Sequence, residues 1–178
     1  TSRLMEKPNK RKKIITLSKP ESKIDDLWPF IKKKIENKEQ IFWVCPLIED
    51  SNKLDFSSTA KLFKLLSEKY NKKVGIIHGS LDQHEKDEVL KEFLNNKISI
   101  LVSTTVIEVG IDFPNATTIV IENANKFGLA QLHQLRGRIG RGEKPGTCIL
   151  MFKNQLSQNA KKRIQILKSS DDGFYIAE

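Results

Sequence analysis

The chain has 178 residues, of which 38% are hydrophobic, enough for one domain with a buried core. Lysine and arginine outnumber acidic residues 31 to 22, and the formal charge of +9 favours polyanionic partners such as nucleic acid or nucleotide phosphates; a lysine-rich solubilising surface would give the same excess. No apolar run approaches membrane-spanning length, the start lacks a signal-peptide apolar region, and Cys45 and Cys148 lie in apolar runs without metal spacing, so a spanning helix, a disulfide framework and a cysteine metal site are excluded and a soluble, cytosolic chain is expected.

Residues 1–13 are polar and basic ("KPNKRKK") and read as a linker, with nuclear localisation as the rarer reading of such a run. "IITL" (Ile14–Leu17) is the first strand candidate. Ile24, Leu27, Trp28, Ile31 and Ile35 then share one helical face. Pro29 requires that this helix either start near Asp26 or kink. "IFWVCPL" is a second strand stopped by Pro46. A polar loop, "IEDSNKLDFSS", then leads to a helix over Thr59–Tyr70 with Leu62, Phe63, Leu66 and Tyr70 inward. Val74–Ile77 is the third strand. Asp82–Asn95 is the clearest helix, with Asp82 and Glu85 at capping-box spacing and Val89, Leu90, Phe93 and Leu94 as its apolar stripe. "ISILVS" and "TTIVIE" are strands around the loop "TTVIEVGIDFPNA". Gly128–Leu135 is helical, "GTCILMF" is the last strand and Ser157–Leu167 the last full helix. Residues 171–178 read as the start of a further, truncated element, leaving 14–170 as the folded domain.

This alternation predicts an α/β domain, a mostly parallel sheet with helices on both faces. Runs such as "IFWVC" fit strands covered on both sides. In such sheets ligands gather at the carboxyl ends of strands. Three informative segments fall there: "HGS", "TTVIEVGID", and the glycine–arginine run "HQLRGRIGRG" (His133–Gly142).

That last run packs three arginines and three glycines into ten residues. Arg138 and Arg141 are three apart, so on a helical turn their planar forks converge and suit phosphoryl oxygens. Gly137, Gly140 and Gly142 permit close approach and sharp turning. A basic helix end closed by glycine is the plainer alternative. Thr104 and Thr105, at a strand end, can offer hydroxyls and backbone N–H groups to phosphate. Gly110 allows a tight turn, and Asp112 can accept from a ribose hydroxyl; a threonine-rich strand edge with a turn aspartate explains these residues equally well. His78 and Gly79 follow a strand where a nucleic-acid backbone could pass, although a histidine there is more often bonded locally. His84 and His133 lack ligand-like partners, so no metal is assigned.

The absences are equally informative. The 178 residues contain no G-x-x-x-x-G-K-[ST] phosphate loop. Asp87 and Glu88 lie on the solvent side of their helix and do not follow a buried strand, which argues against a magnesium-binding role for them. No Ser–His or Cys–His arrangement points to a nucleophile. Arginine donors without a phosphate cradle fit fingers supplied to a nucleotide held by another domain.

Together these residues resemble the second motor domain of superfamily 2 helicases, a RecA-like helicase C-terminal domain. "QLRGRIGR" is similar to motif VI of that family, "STTVIEVGIDFPNA" to motif V, and "GIIHGSLDQHEKDEVLKEF" to the motif IVa region. Within the superfamily the RecG family of bacterial ATP-dependent DNA helicases is the most similar, through "WVCPLIEDS", the whole motif V–VI block and "SSDDGFYIAE". Transcription-repair coupling factors share much of motifs V and VI but less around "WVCPLIEDS".

The RecG resemblance implies ATP and Mg²⁺ as cofactors, held mainly by a preceding motor domain. It implies Arg138 and Arg141 as fingers for the γ-phosphate, Gln134 as their coupling to that domain, and Gly110, Asp112 and Gly137 beside the nucleotide. Thr104, Thr105, His78 and Gly79 would lie on the DNA backbone. Forked or branched DNA, the first motor domain and a wedge domain of the same polypeptide are the implied partners of a monomeric, cytoplasmic bacterial enzyme. The chain alone is expected to be inactive. Arg136 lies outside the matched finger positions, and a structural or surface role is expected for it.

Overall fold

The computed structural model describes residues 14–45, 52–70, 73–78, 81–104, 113–124, 127–139, 144–152 and 158–169. Six strands form one sheet: β1 (Ile14–Pro20), β2 (Gln40–Val44), β3 (Val74–Ile77), β4 (Ile100–Ser103), β5 (Ala116–Ile121) and β6 (Gly146–Phe152). Their order is β1-β6-β5-β2-β4-β3, and every pairing is parallel. The expectation of a mostly parallel α/β sheet is therefore met, and among the described strands the sheet is wholly parallel. The helices are α1 (Leu27–Glu36), α2 (Asn52–Lys69), α3 (Gln83–Leu94), α4 (Leu129–Arg136) and α5 (Gln158–Ser169).

Side-chain alternation divides the core into two layers. On one face, Ile41 and Trp43 of β2, Ile100 and Val102 of β4, Val120 of β5 and Met151 of β6 pack against Leu27 and Ile31 of α1 and Leu66 of α2. On the other, Phe42, Leu101, Ile119 and Leu150 meet Phe93 of α3, Leu132 and Leu135 of α4 and Ile164 of α5. Both faces of the inner strands are thus apolar, which is why β2 reads as an unbroken hydrophobic run and is buried throughout. The edge strand β1 differs: Ile14 and Thr16 are buried, but Ile15 and Leu17 are exposed. Cys45 and Cys148 are both buried, in keeping with small core residues. In β3, a methyl group on Gly75 would come within 2.7 Å of Ile98 Cδ1 and 3.1 Å of Val89 Cγ1, so the glycine allows close approach between strand and helix.

Local chemistry sets the helix ends. Asp82 caps α3 by accepting from the Glu85 backbone N–H, and the Glu85 side chain accepts from the Asp82 N–H, forming the anticipated capping box. At the other end, Asn96 (φ 66°) reverses the chain, and its N–H and that of Lys97 bond back to Phe93 and Glu92. The same Schellman pattern closes α1: Lys38 (φ 64°) donates to the Ile35 carbonyl and Glu39 to the Lys34 carbonyl. Lysine occupies a left-handed position there that glycine adopts at lower cost.

Pro29 sits in the first turn of α1, whose N-cap is Asp26, the first of the two anticipated arrangements. Three sequence expectations need correction. β1 continues to Pro20, and a 3₁₀ helix (Glu21–Asp26) follows it before α1 begins at Leu27. α2 begins at Asn52, where a loop was expected; residues 52–58 are mostly polar, with Leu54 and Phe56 between, and contain neither glycine nor proline, and polarity alone does not break a helix. Leu94, placed on the inward stripe of α3, is 45% exposed, because the inward face of the last turn is taken by Phe93.

Candidate nucleotide and nucleic-acid interface

The parallel sheet brings its carboxyl ends to one edge. Ile77, Ser103 and Val44 are in register across β3, β4 and β2. The backbone bonding continues just past them: Thr104 N–H donates to the Ile77 carbonyl at 3.0 Å, Cys45 N–H to Ser103 at 2.8 Å and Glu122 N–H to Val44 at 2.9 Å. Thr104 and His78 therefore lie side by side at the ends of adjacent strands, as a shared backbone contact would require. Thr104 is buried and its hydroxyl also points at the Ile77 carbonyl, at 3.5 Å, while His78 is half-buried.

The second group sits at the end of α4. That helix starts at Gly128 as N-cap and stops at Arg136. Short-range bonds carry the turn further: Gly137 N–H donates to the His133 and Gln134 carbonyls, Arg138 N–H to Leu135, and Ile139 N–H to Arg136. Gln134 is exposed, Arg138 is half-buried, and Ile139 is wholly buried as the anchor of the turn. The Arg138 carbonyl accepts from the Phe113 N–H at 3.1 Å. Phe113 is 1% exposed and edge-packed against both Phe42 and Phe93. One backbone bond thus fastens the arginine turn to the residue that follows Asp112 in the chain, on an aromatic footing that cannot shift without opening the core.

Gly137 has ordinary right-handed geometry (φ −72°), and a methyl group there would meet its nearest atom, the Gln134 carbonyl oxygen, at 3.4 Å. The sharp turning expected of this glycine is therefore not seen. The convergence of Arg138 and Arg141 on one helical turn cannot be followed, because α4 has ended and Arg141 lies outside the described residues. Thr105, Gly79, Gly110, Asp112, Gly140 and Gly142 lie outside them as well.

Arg136 lies within the described residues. It is 2% exposed, and its Nη1 donates to the Thr16 hydroxyl of β1 at 3.1 Å, tying α4 to the edge strand. Its charge also acts on Cys148, whose thiol burial pushes up to about 12 against the opposing pull of the guanidinium. That thiol stays protonated near neutral pH and is no nucleophile. The structural role expected for Arg136 is the one observed. Sequence reading missed Phe113 as the bridge between the two segments; its apolar character next to Asp112 was the only local signal. Among the described residues no three His, Cys, Asp or Glu side chains are grouped to hold a metal ion, and no helix is long and apolar enough to cross a membrane.

Phe113 lies three residues before β5, at the amino end of that strand, so the glycine–arginine turn it holds is not at the carboxyl edge where it was expected. A parallel sheet with helices on both faces is the arrangement of a helicase motor half. The family model for the helicase conserved C-terminal domain matches residues 22–143, and the chain belongs to that family. Within it the sequence is similar to RecG. It is 45% identical over 175 residues to the ATP-dependent DNA helicase RecG of Bacillus subtilis (strain 168), a match covering 97% of this chain and 26% of the relative. Identity to the RecG of Thermotoga maritima is 43% over 175 residues, covering 97% and 22%. The solved structure of RecG bound to a three-way DNA junction superposes with a TM-score of 0.79 at 41% identity, over 95% of this chain and 22% of that one. The C-terminal domain of the DEAD-box protein Dbp5 shares the fold at 23% identity, with a TM-score of 0.57 over 89% of this chain and 85% of that one. The chain spans about a quarter of the length of these curated relatives. The RecG resemblance carried by motifs V and VI thus extends over almost the whole chain.

Proposed function

We propose that this chain is the second motor domain of a RecG-type ATP-dependent DNA helicase, a monomeric bacterial cytoplasmic enzyme that remodels stalled forks and recombination intermediates. ATP and Mg²⁺ are held by a first motor domain, and Arg138 and Arg141 complete the site across the cleft by stabilising charge on the transferred phosphoryl group. Gln134 couples the turn to that domain, and Gly110, Asp112 and Gly137 border the nucleotide. Thr104, Thr105, His78 and Gly79 grip the DNA backbone, so cleft closure on ATP binding and reopening after hydrolysis move those contacts along one strand. A wedge domain of the same polypeptide engages the branch point.

The observation that carries this reading is the bond between the Arg138 carbonyl and the Phe113 N–H, which sets the finger turn against the end of the motif V segment. Gln134, exposed one turn earlier, is free to face another domain. The test is DNA-stimulated ATP hydrolysis by the full-length protein. Arg138→Ala is expected to lower kcat on the order of 10³-fold with little change in melting temperature; normal turnover in that variant would refute the finger assignment. The 178 residues hold no phosphate loop, so the chain by itself is expected to show no ATP turnover above background, and robust hydrolysis by the purified chain would overturn the division of labour between domains.

A further inference from the structure

The face of the sheet covered by α1 and α2, opposite α4 and its arginine turn, carries a cleft of about 380 Å³ lined by Trp28, Pro29, Lys32, Lys69 and Tyr70. This lies within the size range of small-ligand sites, about 300–1,000 Å³. Its aromatic wall is fixed by contacts within the fold. Trp28 stacks on Trp43 with centroids 6.2 Å apart, its Nε1 donates to Asp25 at 2.8 Å, and its backbone carbonyl accepts from the Tyr70 hydroxyl at 3.2 Å. The indole and phenol polar groups are thus engaged, and the hydrogen-bonding capacity left in the lining belongs to two ammonium groups. Lys69 Nζ lies 5.2 Å from the Trp28 ring centroid. Among the described residues neither Lys32 nor Lys69 has a carboxylate within ion-pair distance, whereas Lys19, Lys34 and Lys144 do.

We propose that this cleft binds one nucleotide of single-stranded nucleic acid, its phosphate between Lys32 and Lys69 and its base against the Pro29 and Tyr70 rings. Two cations without carboxylate partners beside a rigid aromatic wall combine the elements of sequence-tolerant single-strand recognition, a phosphate contact and a stacking surface. The net charge of +9 favours a polyanion at such a surface. The site is separate from the finger turn and needs no ATP, so its test stands or falls independently of the motor reading.

The chain's two tryptophans, Trp28 and Trp43, are stacked at this cleft, so intrinsic tryptophan emission reports on it directly. The 178-residue chain is titrated with a short oligothymidylate at low salt. Saturable quenching is expected, and the double variant Lys32→Gln/Lys69→Gln, with circular dichroism and melting like the parent, is expected to bind about tenfold more weakly with a log–log salt slope shallower by about 0.7, the loss of one phosphate contact on a single strand. Should the double variant fail to fold, Lys32→Gln alone, at an exposed position, is expected to weaken binding about threefold. Absence of quenching, quenching with unchanged affinity in a folded variant, or equal quenching by a polyglutamate peptide would each overturn the proposal, the last by making the cleft an acidic-peptide site.

Discussion

The two ends of the parallel sheet are built differently. At the amino end, side chains close the structure on itself. Gln40 is buried, and its amide donates to the carbonyls of Phe93 and Ile98, pinning β2 to the exit of α3. Glu39, next to it and also buried, accepts from Thr117 and Lys34 and faces Lys144 at 3.8 Å. At the carboxyl end, the described contacts are mostly backbone to backbone, at Cys45, Thr104 and Glu122; the arginine turn, fastened by a backbone bond to Phe113 ahead of β5, likewise leaves Gln134 exposed and Arg138 half-buried. One end uses its polar side chains for cohesion. The other relies on the main chain for cohesion, which leaves side chains for binding. Such a division lets function and stability be changed separately.

The two arginines at the end of α4 offer the largest test of this division. Arg138→Ala should abolish most turnover in the full-length enzyme and leave folding intact, as set out above. Arg136→Ala should do the reverse. It removes a buried guanidinium that bonds to Thr16 and leaves a cavity, so a loss of about 3 kcal/mol is expected in denaturant unfolding, with ATP turnover per folded molecule near the parent value. Equal activity losses in the two variants would show that the arginines act as one group and erase the contrast.

At the amino end the expected effect is smaller and depends on pH. Burial pushes the Glu39 carboxyl up, but the hydrogen bonds from Thr117 and Lys34 and the charges of Lys34 and Lys144 outweigh it and hold the group below its ordinary value of 4.5. The carboxylate therefore contributes stability that is fully present above 4.5 and is lost as pH falls from there through the lower folded value. Melting temperature measured against pH should fall more steeply below this point in the parent than in Glu39→Gln, and parallel curves would remove Glu39 from the account of acid stability. The smallest effect is a gain. Lys38→Gly should stabilise by about 1 kcal/mol by relieving the left-handed backbone in the Schellman turn, read as a higher denaturant midpoint with unchanged slope.

Much of this protein is legible because the relevant patterns lie within single elements. The strand–helix alternation that defines the sheet class, the Asp82–Glu85 cap, the burial of both cysteines and the position of the arginine turn after a helix are all matters of spacing over a few residues. The reading failed where composition stood in for geometry. The polar start of α2 passed for a loop, and Leu94 passed for core although the preceding residue already filled its place. In the candidate site, the sequence singled out Thr104, His78, Gln134 and Arg138 and set Arg136 apart, but it gave no sign that Phe113 would hold the arginine turn.

The sequence by itself determined most of the strands and helices, because hydrophobic period and capping act locally. Only the tertiary structure decided the strand order β1-β6-β5-β2-β4-β3, and with it which distant residues meet. Arg136 finds Thr16 across 120 positions, Trp43 finds Glu122 across 79, and Gln40 reaches Ile98 across 58. No local period encodes such pairs; they follow from how the crossovers stack one strand against another and from the requirement that each buried polar group find a partner there.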